Sequence, residues 1–246
     1  MILAIIPARY ASTRFPGKPL VDIMGKSMIQ RVYEQTKKAT LISLVVVATD
    51  DERIAEHVRS FGGEVVMTSP DHPSGTDRCQ EAAQLIGADY TYIINVQGDE
   101  PFIDPVQIDT LAESLRNGKT ELATLVAKVK RPEILTDIGE VKVVMNEQGQ
   151  ALYFSRQAIP FLRGVPLTEW HLLHEYYYHV GMYAYRSDIL EKICQLPISS
   201  LEKAESLEQL RWMENGYSIT CAITELDSYC IETPEDIEKV VRIMSK

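Results

Sequence analysis

The chain has 246 residues, 45% of them hydrophobic, which is enough to bury a sizeable core in one large domain. Its 25 basic and 35 acidic residues leave a net charge of −10, which excludes the basic stripes that nucleic-acid binding relies on. Cys79, Cys194, Cys221 and Cys230 follow no zinc or redox spacing, no stretch approaches the roughly 20 apolar residues of a membrane span, and the apolar start is too short for a signal peptide. These features predict reduced thiols and a cytoplasmic protein.

Ile2-Leu3-Ala4-Ile5-Ile6 reads as a buried strand of a parallel sheet. The prolines and Gly17 between Pro7 and Pro19 forbid a regular helix, so an extended loop carrying Arg9, Arg14 and Lys18 is expected. Three cations in one loop of an acidic protein call for an anionic guest. Helical pattern resumes at Ser27. Residues 44–48 read as a second strand ending at Thr49-Asp50, and 51–58 as a helix with acids in its first turn. A strand over 64–67, a helix over 76–86, a strand over 90–96 and a helix over 105–115 follow. This alternation predicts an α/β fold, a mostly parallel Rossmann-like sheet with helices on both faces. After Leu122 the rhythm changes, and 122–129, 140–145 and 177–185 read as strands with little helix between them. The expectation is one domain, 1–246, with a smaller β-rich insertion around 122–186, an added sheet or an arm suited to dimerisation or sugar binding. Helices over 187–196 and 202–215, a strand over 217–224 and a helix over 233–244 complete the chain.

In an open parallel sheet, ligands sit beyond the carboxyl ends of the strands. Three loops fall there: 7–19, Thr49-Asp50, and Gln97-Gly98-Asp99-Glu100-Pro101. Lysine and arginine neutralise phosphate oxygens, and Mg²⁺ takes one or two carboxylates together with phosphate oxygens and water. Asp99, fixed behind the apolar run Tyr92-Ile93-Ile94-Asn95-Val96, is well placed to hold a metal. The standard nucleotide fingerprints are absent. The 97–101 stretch also fits an ordinary turn in which Gly98 supplies a positive φ. In Pro70-Asp71-His72-Pro73-Ser74-Gly75-Thr76-Asp77-Arg78, Thr76 is the expected helix cap, with the N–H groups of Ser74 and Gly75 facing a ligand. Arg78 opposes the helix dipole in the first turn, which hints at a task. His171, His174 and His179 lack the spacing of a zinc motif and read as a polar interface segment. Tyr176, Tyr177, Tyr178 and Tyr183 read as core or dimer packing. Thr233 as N-cap with Pro234 behind it starts the last helix, an account that leaves Glu232 to point at the same rim as Asp99.

The stretch from Ile5 to Leu20, I-I-P-A-R-Y-A-S-T-R-F-P-G-K-P-L, resembles the signature loop of the CMP-KDO synthetases, the 3-deoxy-manno-octulosonate (KDO) cytidylyltransferases. Further matches keep the family's order: Ser74-Gly75-Thr76-Asp77-Arg78, Asn95 to Pro101, Ala151-Leu152-Tyr153-Phe154-Ser155-Arg156, His179 to Arg186, and Leu207-Glu208-Gln209-Leu210-Arg211. The resemblance implies a nucleotide-diphospho-sugar transferase fold and a homodimer. It implies transfer of CMP from CTP to KDO with Mg²⁺ and release of pyrophosphate, which activates the sugar for lipopolysaccharide synthesis. It places Ala8, Arg9, Ser12, Thr13, Arg14, Lys18, Ser74, Gly75 and Arg78 on the nucleotide. It places Gln97, Arg156, His179, Tyr183, Glu208 and Gln209 on the sugar acid, with Arg156 clamping the carboxylate. Asp99 and Glu232 would hold the metal, and Arg9, Lys18 and Asp99 would carry catalysis. One departure stands out. The family usually has Val-Asp-Thr-Pro-Glu-Asp where this chain has Ile231-Glu232-Thr233-Pro234-Glu235-Asp236, which keeps the charge and lengthens its reach by one methylene. Cytidylyl transfer to an 8-amino analogue of KDO or to a nonulosonate stays open, as does a non-catalytic nucleotide-sugar binder.

Overall fold

Apolar runs without polar alternation need cover on both faces, and a central sheet between two helical layers provides it. The structure, a computed structural model, describes residues 1–11, 15–87 and 89–244. Its strands are β1 (Ile2–Ala8), the short hairpin β2 (Asp22–Ile23) and β3 (Lys26–Ser27), β4 (Leu44–Thr49), β5 (Val65–Met67), β6 (Tyr92–Asn95), β7 (Leu122–Lys128), β8 (Lys142–Met145), β9 (Ala151–Ser155), β10 (Tyr177–Arg186) and β11 (Ile219–Thr224). Helices α1 (Met28–Thr36), α2 (Glu52–Ser60), α3 (Gly75–Ile86) and α4 (Pro105–Glu113) alternate with the first strands. The short α5 (Glu133–Thr136) and α6 (Trp170–Leu173), then α7 (Ser187–Cys194), α8 (Ser200–Glu205), α9 (Gln209–Glu214) and α10 (Pro234–Met244), follow.

The sheet order is β11-β7-β10-β6-β1-β4-β5, with β8 paired to β10 and β9 to β8. β1 lies between β4 and β6, parallel to both, while β10 is antiparallel to β6 and β7. Alternate residues of β1 enter opposite cores. Ala4 and Ile6 pack with Ile29, Val32 and Ile54 of α1 and α2, and Leu3 and Ile5 pack with Cys79, Ile189 and Trp212 of α3, α7 and α9. No helix among the described residues is long and apolar enough to cross a membrane.

Three expectations change in detail. β1 runs on through Pro7 to Ala8, because β6 stops opposite Ile5 and beyond it Pro7 has a sheet neighbour on β4 alone. The β-rich middle is not a separate sheet. β7 is buried from Leu122 to Ala127, so neither of its faces tolerates water, and with β10 it completes the main sheet. The β8–β9 hairpin is the part that projects from it. The helix expected over 202–215 breaks into α8 and α9 at Ser206, whose φ of 53° is left-handed.

Candidate active site

β1, β4 and β6 are parallel, so their carboxyl ends form one rim, and a cleft of about 250 Å³ opens there. One bank is Pro7 to Arg9, Lys18 and Gln97 to Asp99; the other is His72 to Gly75 and Arg78. Gly98 is required by closeness rather than by a turn. A Cβ on it would lie 2.9 Å from the Pro7 carbonyl oxygen and 3.6 Å from Ile6 Cγ2, and its φ is outside the left-handed range, contrary to the turn reading. The two loops of that bank therefore touch backbone to backbone.

The cap of α3 is Ser74, not Thr76. Ser74 Oγ accepts from Asp77 N at 3.2 Å and donates to Asp77 Oδ2 at 2.6 Å. Thr76 is buried, and its hydroxyl donates to Glu208 Oε2 at 2.6 Å. Arg78, 4% exposed, donates from Nη1 to Thr68 Oγ1 at 2.6 Å and has Nη2 3.4 Å from Asp50 Oδ1. Asp50 thus balances a cation that the helix dipole alone would disfavour.

Lys18 joins the rim to the C-terminal segment. Its ammonium donates to Asp99 Oδ2 at 2.8 Å and to the Ile231 carbonyl at 3.0 Å, and Ile231 N donates to the Asp99 carbonyl at 2.9 Å. A second cleft of about 720 Å³ begins at Gln97 and Asp99, which line both, and continues past Gly139, His179, Gly181 and Glu232. Glu100 is buried in its wall and accepts from the Ser228 hydroxyl. Burial pushes its carboxyl up to about 7, against the pull of that hydrogen bond and with help from Asp99 and Glu140. His179 Nε2 lies 2.8 Å from Thr124 Oγ1, and its ring packs on Phe154 and Tyr183. Burial takes its pKa down to about 4, so the imidazole is neutral at pH 7.

The structure thus gathers Ala8, Arg9, Lys18, Ser74, Gly75, Arg78, Gln97 and Asp99 around the first cleft, and Gln97, Asp99, His179 and Glu232 around the second. Ser12, Thr13 and Arg14 lie outside the described residues. Tyr183 and Gln209 are buried and line neither cleft, and the tyrosine hydroxyl and Gln209 Nε2 have no hydrogen-bond partner among the described residues. Glu208 is tied to Thr76 and, at 2.7 Å, to Arg211, and burial raises its pKa. Arg156 lines neither cleft. Its guanidinium donates to the carbonyls of Glu205 at 2.8 Å, Ile138 at 2.9 Å and Ser206 at 3.3 Å, which makes it a brace between β9 and the α8–α9 turn. Sequence reasoning missed His72, Glu100 and Ser228. Glu100 and Ser228 meet only through the fold, and His72 carries no motif of its own.

Asp99 and Ile231 already present two oxygens to one cation, the Lys18 ammonium, and Glu232 lines the adjoining wall. Such hard oxygen donors suit Mg²⁺, which completes its shell from substrate and water. Among the described residues no three His, Cys, Asp or Glu side chains gather into an all-protein metal cage.

A parallel-sheet rim that sets cations beside a carboxylate, with a second polar cleft sharing its wall, is the arrangement a nucleotidyltransferase needs. The family comparison makes the class specific: residues 3–221 match the cytidylyltransferase family. The 3-deoxy-manno-octulosonate cytidylyltransferase of Parabacteroides distasonis is 54% identical, over 99% of this chain and 98% of its own length. That of Cytophaga hutchinsonii is 56% identical over the same shares. A solved CMP:2-keto-3-deoxy-manno-octonic acid synthetase complexed with CTP is 42% identical, with a TM-score of 0.91 over 99% of this chain and 98% of that one. The chain belongs to the 3-deoxy-manno-octulosonate cytidylyltransferases of the cytidylyltransferase family.

Proposed function

We propose that this chain transfers CMP from CTP to KDO and releases pyrophosphate. The observation that carries the reading is the wall that Gln97 and Asp99 share between a cleft with cations and a second polar cleft. The nucleotide takes the first and the sugar acid the second, so the reacting atoms meet at Asp99. The anomeric hydroxyl oxygen attacks the α-phosphorus in line, the bond to the β-phosphate bridging oxygen breaks, and the hydroxyl proton passes to solvent. No protein nucleophile is needed, because positioning and charge neutralisation suffice.

Arg9 and Lys18 offset charge on the triphosphate, and Ser12, Thr13 and Arg14 belong to the same loop. Ala8, Ser74, Gly75 and Arg78 hold the nucleoside. Gln97 and neutral His179 meet the sugar acid, while Tyr183 and Gln209 keep uncommitted groups. Glu208 and Arg156 fix the frame that holds these residues. Asp99 and Glu232 would hold Mg²⁺, which when bound supplies charge neutralisation at the phosphate oxygens. The reading implies a cytoplasmic homodimer, since CTP is made there and the 157–174 segment exposes apolar side chains.

The test is pyrophosphate release with CTP, Mg²⁺ and KDO, beside the 8-amino analogue, a nonulosonate, and UTP, GTP and ATP. Turnover with CTP and KDO is expected, and Asp99→Asn should lower it on the order of 10²-fold or more without unfolding the chain. Turnover only with another sugar would redirect the substrate. CTP binding with no pyrophosphate from any sugar would favour the non-catalytic binder.

A further inference from the structure

His72 and Glu81 have no part in the mechanism above, yet His72 lines the nucleotide cleft. Its Nε2 lies 2.5 Å from Glu81 Oε2 in the second turn of α3. The same oxygen accepts from Ser69 N at 2.7 Å, so Glu81 fastens both ends of the short loop that carries the ring. These hydrogen bonds, that of His72 foremost, hold the Glu81 carboxyl below its usual range. An ionised carboxylate is an acceptor, so Nε2 carries a proton, and a ring that carries that one proton offers Nδ1 as an acceptor.

The opposite bank of the cleft holds Arg9 and Lys18, which draw the phosphates and leave the base to the 72–78 bank. There Arg78, pinned by Thr68 and Asp50, offers donors and no acceptor. Beside the backbone groups of Pro73 to Gly75, a base in this place meets His72 as a side-chain acceptor and Arg78 as a cationic donor. Cytosine matches that pair, with its N4 amino donor beside the N3 and O2 acceptors. Uracil presents the O4 acceptor where cytosine has the amino group. An acceptor facing an acceptor leaves both without a partner, and sites built this way reject the wrong base strongly.

We infer that His72, oriented by Glu81, is the hydrogen-bond acceptor that selects cytosine over uracil in this cleft. The inference rests on the proposed reading that the cleft binds CTP, and it adds the residues that set the choice of pyrimidine.

The experiment is calorimetric binding of CTP, UTP and inorganic tripolyphosphate to the unaltered chain and to His72→Phe, His72→Gln and Glu81→Ala. His72→Phe should lower the CTP-to-UTP affinity ratio about tenfold, the worth of one lost hydrogen bond, and leave tripolyphosphate binding unchanged. His72→Gln keeps an acceptor at the position and should recover most of the ratio. If His72→Phe does not fold, Glu81→Ala, which unfastens the ring, carries the same expectation of a lower ratio. Variants that weaken CTP and UTP equally, with the ratio unchanged, overturn the inference and make His72 a clamp on its loop. Equal binding of CTP and UTP by the unaltered chain overturns the proposed nucleotide itself, and this inference with it.

Discussion

Lys18 stands where the proposed metal site, the triphosphate and the C-terminal segment converge. With 18% of its side chain exposed, against 26% for Asp99, its ammonium occupies one of the two carboxylate oxygens that Asp99 can offer a divalent ion. The lysine and the metal are therefore rivals until a triphosphate gives the ammonium another anion. Lys18→Met should tighten binding of Mn²⁺ alone about three- to tenfold, as expected for removing a charge-assisted contact. The same variant should weaken CTP. Electron paramagnetic resonance of free Mn²⁺ reads the first effect and calorimetry the second; unchanged Mn²⁺ affinity would take Asp99 out of the metal role. At this scale the cations and Asp99 were legible, because charge after an apolar run is visible in any sequence. The role of Gly98 was not. A close approach to the Pro7 carbonyl is a fact of two segments some 90 residues apart, and neither carries its trace.

The elements were legible to the extent that their periodicity was unbroken. β1, β4, β6 and β7 are apolar on both faces, which few alternatives can accommodate, and the Gly87 stop of α3 is a standard signal. The break at Ser206 was hidden because serine rarely adopts a left-handed φ, and the 202–215 pattern is continuous across it. Yet that break is what turns Glu208 toward Thr76 and brings the Glu205 and Ser206 carbonyls to Arg156. Arg156 was expected on substrate because an arginine suits a carboxylate, a match of chemistry that says nothing of which acceptors lie nearer. Glu208 is the keystone of this joint. Its loss would leave the buried Arg211 with the Leu196 carbonyl at 3.1 Å and the weaker Glu202 ion pair at 3.4 Å, and Thr76 with only the Tyr185 hydroxyl at 3.4 Å. Glu208→Ala should cost about 3 kcal/mol in urea unfolding, the scale of a broken buried pair. Glu208→Gln keeps an acceptor for Thr76 and should cost less. A loss below about 1 kcal/mol for the alanine variant would mean that α9 and α3 are held together by apolar packing instead.

At the scale of the whole molecule, the charge and the apolar surface pull in opposite directions. Each copy carries a net charge of −10, so two copies repel at low ionic strength. Phe161, Leu172 and Leu173 are 74%, 72% and 65% exposed, and Phe161 packs edge-on against Trp170 of α6, the helix that also carries the two leucines. Large apolar side chains at that exposure suit burial by another protein chain, and the proposed homodimer would supply the partner. Burying it is favourable per unit of apolar area, whereas the repulsion is long-ranged and screened by salt. The dimer should therefore tighten as NaCl rises from 0.05 M to 0.5 M, the reverse of an interface built from ion pairs. Replacing Leu172 and Leu173 by glutamate should yield a folded monomer in sedimentation equilibrium at micromolar concentration, with the far-ultraviolet circular dichroism of the unaltered chain. A dimer that survives both glutamates would move the interface elsewhere on the fold, and an unaltered chain that sediments as a monomer at every salt concentration would remove the homodimer from the proposal.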